Sequence, residues 1–536
     1  RAWQLFTAFH DAGPRWPGAL RAGLAMALPG TLAILLGFEA ELLLIAAGGF
    51  TVIHGEGYAY RARWKVLVTS GSLFVGGALS GAFVGTVVWG QIEAGSSHWW
   101  LLLTVAFATT IAGVGVFVAN ALRLPPPGPW FILLVAGAST MTHRLDLNPV
   151  EVAAWASVGV VSSIIVGMAP ALVRPHGPEE EAVDTLEATV AAIPRDGRDA
   201  PLSVERIHQA QTALAHAWVT LGDAGVIHGG RIAPGGRREL AERTLAAQQA
   251  LAGASTGARA RASQLADTPT YLDVSRLRVP YTRPSISYRL YRSAHRYSHA
   301  TMTAVKVFIA CLAASVVGIA FGLDRPDWAI ASALLILQWG PDRLPGTIRG
   351  LHRLLGSVLG IGLFAGLHLL DLGPWGLLLA LAACQFFAEI FVVRNYVLCV
   401  IATTPLALMM GNALQLPLGE TVVSRTIEVL LSVIFAVGVL WVVLRDAEPA
   451  HHARLLTAAP DDVLPQRRDL QFELLSERRA VQSLAANLPE VAAERWATHL
   501  EVQSAGYALL DRCNDRPDQR LPIGDIQDVA DRVSRD

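Results

Sequence analysis

The sequence predicts an all-α polytopic membrane protein, with two tandem six-helix transmembrane repeats in parallel orientation plus α-helical cytoplasmic domains. Three observations predict it. The 536 residues are 52% hydrophobic and only 16% charged, where a soluble protein is roughly 25% charged. Apolar segments of helical length fall into two sets of six, divided by a long polar region. Adding 285 to a residue number in the first set lands on a like residue in the second. Arg21 goes to Lys306, Gly37 to Gly322, Glu39 to Asp324 and Gly55 to Gly340. Gly71 goes to Gly356, Ser72 to Ser357, Gly77 to Gly362 and Gly81 to Gly366.

Taken in order, residues 1–19 mix Trp, Phe and basic side chains, and suit either an interfacial amphipathic segment or a plain lead-in. The first repeat, 20–173, holds apolar segments at about 20–37, 42–54, 66–90, 98–119, 129–142 and 150–172. Two of these, 42–54 and 129–142, fall short of the roughly 20 residues a straight span needs. They are expected to shelter inside the bundle or to extend into flanking residues. From 174 to 300 the composition turns polar, with helical apolar spacing in VERIHQAQTALAHAWVTLGDAG and RRELAERTLAAQQALAGAS and Gly/Pro separators between, which predicts a helical cytoplasmic domain. The second repeat, 301–445, has segments at about 303–321, 328–340, 354–370, 374–392, 395–412 and 422–444. Residues 446–536 form a polar helical tail.

Lys and Arg in short loops set orientation. Arg61, Arg63, Lys65, Arg123, Arg343, Arg349, Arg353 and Arg394 fall on one side. Only Arg144 and Arg325 fall on the other, beside Glu39, Glu41, Asp324, Asp327 and Asp371. Both soluble regions and both termini are therefore expected in the cytoplasm. Each repeat has an even number of spans, so the copies share one orientation, and parallel repeats of this kind place a substrate site near the midplane between them.

The candidate site residues follow from charge and helix irregularity. Arg21 and Lys306 sit one turn inside the first helix of each repeat. They are either a paired cationic entrance for an anion or lysine and arginine snorkelling to headgroups. Arg349 and Arg353, four apart, share a face at the mouth of a helix and add to that field. The segment VRNYVLCVIATTPLALMMGN breaks its backbone ladder at Pro405, and the freed carbonyls must be met by neighbours, water or Thr403 and Thr404. Asn395, Tyr396, Thr404 and Pro405 are accordingly placed on the substrate pathway, the plainer account being a structural kink. Intramembrane acids are proton-coupling candidates: Glu428 with Arg425 three residues before it, Glu151 in the last helix of the first repeat, and Glu389 with Arg394 nearby. Arg425 and Glu428 share a face, and the plainer account of the pair is that they simply neutralise one another. The small residues Gly71, Ser72, Gly77, Gly81, Gly356, Ser357, Gly362 and Gly366 are expected to form the helix-packing seams.

Other classes are disfavoured. Cys311, Cys384, Cys399 and Cys513 lie at no metal-ligand spacing, and no GxxxxGK[ST], HExxH or GxSxG signature occurs. Neither an enzyme nor any cofactor or metal is expected, and a net charge of −1 offers nothing to nucleic acid.

With RLLGSVLG, RNYVLCVIATTPLAL and RTIEVLLSV together, the chain resembles the fusaric acid resistance family, which includes bacterial aromatic acid exporters. The family pattern Arg-x-x-Gly-Thr-x-x-Gly falls on Arg353, Gly356, Ser357 and Gly360, with Ser in place of Thr. The first repeat departs from it, with Val68 at the place of Arg353. The resemblance implies secondary-active efflux of small organic, often aromatic carboxylic, anions across the bacterial inner membrane, driven by the proton-motive force. Some relatives of that kind work with a periplasmic adaptor. The layout is also similar to plant aluminium-activated malate transporters, which act as paired subunits, and so implies either a homodimer or one pseudo-twofold pathway in a duplicated chain. Two rival functions remain open from the residues: a passive organic-anion channel, and a membrane platform recruiting envelope or lipid partners through its cytoplasmic domains.

Overall fold

A computed structural model describes residues 15–193, 204–228, 231–235, 237–255, 285–295, 298–392, 394–410, 414, 416–443, 470–474, 476–477, 499 and 501–512. The stretch 1–14 expected at the interface, most of the tail from 446, Asn412 and Cys513 lie outside the described residues. The chain divides into two units. The first comprises Arg1–Glu56, Arg63–Pro175 and His299–Val443; the second comprises Gly57–Ala62, His176–Ser298 and Leu444–Asp536.

In the first unit the helices run α1 (Trp16–Leu35), α2 (Leu42–Gly49, continued by a 3-10 turn Phe50–Gly55), α3 (Tyr60–Glu93), α4 (Leu101–Leu122), α5 (Trp130–Ser139) and α6 (Pro149–Met168). The interfacial segment expected over 1–19 is thus cut short, since Trp16 to Ala19 already belong to α1. In the second unit come α7 (Gly177–Ala191), α8 (Val204–Asp223), a hairpin of β1 (Ile227–His228) and β2 (Arg231–Ile232), α9 (Arg238–Ser255) and α10 (Ile286–Ser293). The first unit resumes with α11 (His299–Ala320), α12 (Pro326–Leu337), α13 (Arg343–Leu369), α14 (Pro374–Phe391), α15 (Tyr396–Met410) and α16 (Leu418–Val442).

Eight of these helices are long and apolar enough to cross a membrane. The four remaining segments form shorter helices, α2, α5, α12 and α15. A count of twelve full spans is therefore not met; 328–340 and 395–412, expected as spans, join 42–54 and 129–142 as short ones. Pro326 and Pro374 occupy first-turn positions, where the missing N–H costs nothing. Asn148 caps α6 by accepting from the Val150 N–H at 2.9 Å.

The long helices are built inside out relative to a water-soluble fold. On α1 the exposed stripe is Leu20, Leu24, Leu28 and Leu32, whereas Ala22, Ala25, Met26, Gly30 and Ala33 face inward. On α13 Leu351, Leu355 and Leu359 are exposed, and Arg353, Gly356, Ser357 and Gly360 are buried. Large apolar side chains outside and small ones inside suit lipid, where close backbone approach rather than expulsion of water holds helices together. The short helices behave differently: every residue of α12 is buried.

Packing follows one scheme twice. α1 and α2 pack on α6, as α11 and α12 pack on α16. α3 lays its glycines on α5, and α13 packs on α15. The first helix of each series then packs on the fourth of the other, α1 on α14 and α11 on α4. Gly37 and Gly322 end the first helices in the left-handed region, at φ +82° and +78°, a conformation glycine adopts without Cβ strain.

The offset of 285 does not extend to the third helices, however. Gly81 and Gly85 press on Ala136 and Thr140, and Gly356 and Gly360 press on Val400 and Thr404, giving a separation of 275. Of the expected seam, Gly71 faces Val160 and Gly77 faces Ala136, but Ser72 is exposed, and Gly362 and Gly366 meet nothing. Small residues recur so often along both helices that several registers give sequence matches; backbone approach allows only one.

In the second unit α7, α8 and α9 close over Val183, Leu186, Leu214, Leu221 and Leu251. Trp218 Nε1 donates to Gln248 Oε1 at 2.9 Å, and Arg243 pairs with Asp184 at 2.7 Å and with Glu187. The hairpin pairs Ile227 with Ile232 in a stretch the sequence marks only as a separator.

Candidate anion-binding site

Three helices of the second series bring charge into a place shielded by protein. On α13, Arg353 shares the buried face of Gly356, Ser357 and Gly360 and is 0% exposed. On α16, Arg425 and Glu428 stand on the buried face, each 1% exposed. α12 supplies Trp328, Ala329 and Ser332. Arg353 Nη2 donates to Ser332 Oγ at 3.1 Å, and Ser432 Oγ donates to the Ala329 carbonyl at 2.9 Å, tying the three helices together. The Arg425 guanidinium lies 5.2 Å from the Trp328 ring centroid, a cation–π contact.

The hydrogen-bond count here is incomplete. Nε and Nη1 of Arg353, Nε and Nη1 of Arg425, and both carboxylate oxygens of Glu428 are buried without a hydrogen-bonding partner among the described residues. The plainer account of Arg425 and Glu428 as a self-neutralising pair finds no ion pair within 4 Å among the described residues. The charges of Arg353 and Arg425 nevertheless act on one another. A buried charge without compensation is strongly unfavourable, and the four unpartnered N–H donors on these two like charges are groups that an oxygen anion can satisfy. The planar guanidinium fork suits a carboxylate in particular.

Other residues singled out by sequence fall variously. Arg349 Nε donates to the Ile336 carbonyl at 3.0 Å, and its Nη2 is buried without a partner. Tyr396 and Thr404 lie on α15 near this site: Tyr396 Oη donates to the Leu335 carbonyl at 3.5 Å, and the Thr404 hydroxyl is unpartnered against Gly360. Pro405 is buried within α15. Asn395 caps α15, its Oδ1 accepting from the Leu398 N–H at 3.2 Å.

Arg21 is not an open cationic entrance. It pairs with Glu56, which also takes Arg63 at 3.0 Å. Burial works against ionisation of Glu56, but Arg63 and Arg21 outweigh it and hold the carboxyl below its ordinary range. Lys306 is buried and donates to the Pro341 carbonyl at 3.1 Å. Glu389 pairs with Arg15 at 3.6 Å, a partner 374 positions away in sequence, rather than nearby Arg394. Glu151 is exposed in the first turn of α6, so it is not a second buried acid.

Sequence reasoning missed Glu56, and it placed Arg325 and Asp327 among outer-loop charges. Both are in fact buried, with Arg325 Nε and Nη2 donating to Asp327 Oδ1 and Oδ2 at 3.0 and 2.9 Å. Gln385, fully buried on α14 with its amide unpartnered, was also overlooked. Only Pro326 signalled that the chain turns inward there.

Residues 297–439, which hold every member of this cluster, match the family described as fusaric acid resistance protein-like. The chain is a membrane protein that is similar to this family over those residues. A wider relative is the uncharacterized membrane protein YvaC of Bacillus subtilis (strain 168), 24% identical over 454 residues, covering 75% of this chain and 68% of that one. No solved structure matches the chain.

Proposed function

We propose that this fusaric acid resistance-like protein is a secondary-active exporter of small organic anions, aromatic carboxylates foremost, working across the bacterial inner membrane under the proton-motive force. The observation that carries the proposal is the pair of buried arginines, Arg353 and Arg425, with four unpartnered guanidinium nitrogens beside an unpartnered Glu428. The arginines hold the carboxylate; Glu428 exchanges the proton that links transport to the gradient. The reciprocal packing of α1 on α14 and α11 on α4 supports two six-helix repeats about a pseudo-twofold axis. In this reading the second unit and both termini are cytoplasmic, and the chain performs no covalent chemistry and needs no cofactor.

The test uses the purified full chain in liposomes, measuring movement of labelled benzoate with and without a pH gradient. Losing a hydrogen bond to a charged group costs about 1.5–3 kcal/mol. Arg353→Gln and Arg425→Gln should therefore each weaken benzoate half-saturation roughly 10- to 100-fold. Wild-type liposomes that move no benzoate would refute the proposal.

A further inference from the structure

The second series carries a charged column that the first lacks, and at its far end an arginine is held by the protein's own carboxylate. Beginning at the α13 end, the column holds Arg353, Arg425, Trp328 and Arg325. The Trp328 ring is shared: the Arg425 guanidinium lies 5.2 Å and that of Arg325 4.4 Å from its centroid. The charges of Arg325 and Arg425 act on one another. Asp327 holds Arg325 in a two-point grip at 3.0 and 2.9 Å, with both side chains about 6% exposed. Asp327 in turn packs on Gly137 of α5, where a Cβ would come within 2.9 Å of its own Cβ. The pair therefore sits where the two series meet.

None of this is repeated in the first series. Gly37 and Gly322 fix a separation of 285 there, so Arg325, Asp327 and Trp328 correspond to Ala40, Leu42 and Leu43. The buried faces of α6 and α16 superimpose at 269. Val152, Ala156, Gly159, Val160, Ser163 and Gly167 match Thr421, Arg425, Glu428, Val429, Ser432 and Ala436. Arg425 and Glu428 thus stand opposite Ala156 and Gly159. At 275, Arg353 stands opposite Ala78. A scaffold built twice that carries this buried column in one series alone points to a ligand route rather than to packing.

We propose that Arg325 is a second carboxylate-binding station on the route from Arg353 and Arg425, and that the Asp327 carboxylate is a tethered anion that occupies it and closes the route. This rests on the transport reading above and adds the place where passage is controlled. A travelling carboxylate leaves Arg425 along the Trp328 ring and displaces Asp327 from Arg325. Asp327 returns once the anion has left. The bidentate geometry that Asp327 uses is the one an organic carboxylate would use, so the two compete for the same donors.

The decisive property is sign. A merely structural ion pair predicts that breaking it from either side harms the protein alike. A tethered anion predicts opposite effects. In liposomes loaded with labelled benzoate and no pH gradient, Asp327→Asn should raise downhill release by about fivefold or more. Arg325→Gln, which strands the carboxylate without its station, should lower release by about tenfold. Benzoate should also raise the melting temperature of purified Asp327→Asn more than that of wild type, because the vacated guanidinium takes it. This second readout holds even where the variant is too unstable to reconstitute. Changes of the same sign in both variants, or no extra benzoate stabilisation of Asp327→Asn, overturn the gate. Wild-type and variant liposomes that alike carry no benzoate overturn the transport reading itself, and the gate with it.

Discussion

After Trp328, the bulkiest fully buried side chains among the described residues are Arg353 and Arg425. Two arginines at such depth, with Arg353 hydrogen-bonded to Ser332 and Arg425 against an aromatic face among the described residues, are costly to keep. Their retention makes sense if a substrate supplies the missing acceptors. Glu428 gives the complementary prediction. Glu428→Gln keeps the shape and removes the titrating group, so export against a benzoate gradient driven by pH should be abolished. Downhill movement and the melting temperature should stay within about a factor of two and a few degrees of wild type. Full gradient-driven export by the variant would remove Glu428 from the coupling.

At the scale of elements, the design depends on how closely backbones approach. A Cβ at Gly81 or Gly85 would collide with the carbonyl oxygen of Ala136 or Thr140, and one at Gly48 or Gly159 would strike the facing helix backbone. No side-chain rotation relieves such a clash. Gly81→Leu should therefore destabilise the detergent-solubilised protein by about 1–3 kcal/mol or more, read as a lower melting temperature. Gly362→Leu, at an exposed glycine with nothing within 4 Å, should leave it unchanged. Equal losses in both variants would mean that the glycine seam is misplaced. The α6–α2 contact shows the same economy: Gly48 and Gly159 meet where α16 instead inserts Glu428.

For the whole molecule, the reciprocal exchange of first and fourth helices joins the two series, and charge distinguishes them. Arg21, Glu56 and Arg63 form a compact ionic knot in the first series, and they set a pH dependence. The folded carboxyl of Glu56 titrates below its ordinary value. Its contribution is therefore fully present above the unfolded pKa of about 4.3 and is lost as pH falls through the lower folded value. Melting in detergent should drop on acidification below pH 5 less steeply for Glu56→Gln than for wild type; parallel profiles would show that the knot is not a source of acid sensitivity.

The sequence by itself determined the class of the molecule. Lipid solvates apolar surface over a whole helix length, so segment hydrophobicity, small-residue stripes such as Gly356 and Gly360, and the separation of 285 at Gly37 and Gly322 were legible without coordinates. Arg353 stood out in the sequence as a cation at a helix mouth, but its complete burial was not legible there. The tertiary structure alone decided which charges are compensated. Arg21 looked free until Glu56 was brought 35 residues back to it. Glu389 found Arg15 across the chain. Arg425 and Glu428, three apart, share a face without an ion pair within 4 Å among the described residues, while Arg325 and Asp327 left the loop and became a buried clasp. Pairing depends on distances of a few ångströms between side chains on different helices. Helix periodicity fixes which face a residue occupies, not what the neighbouring helix presents to it.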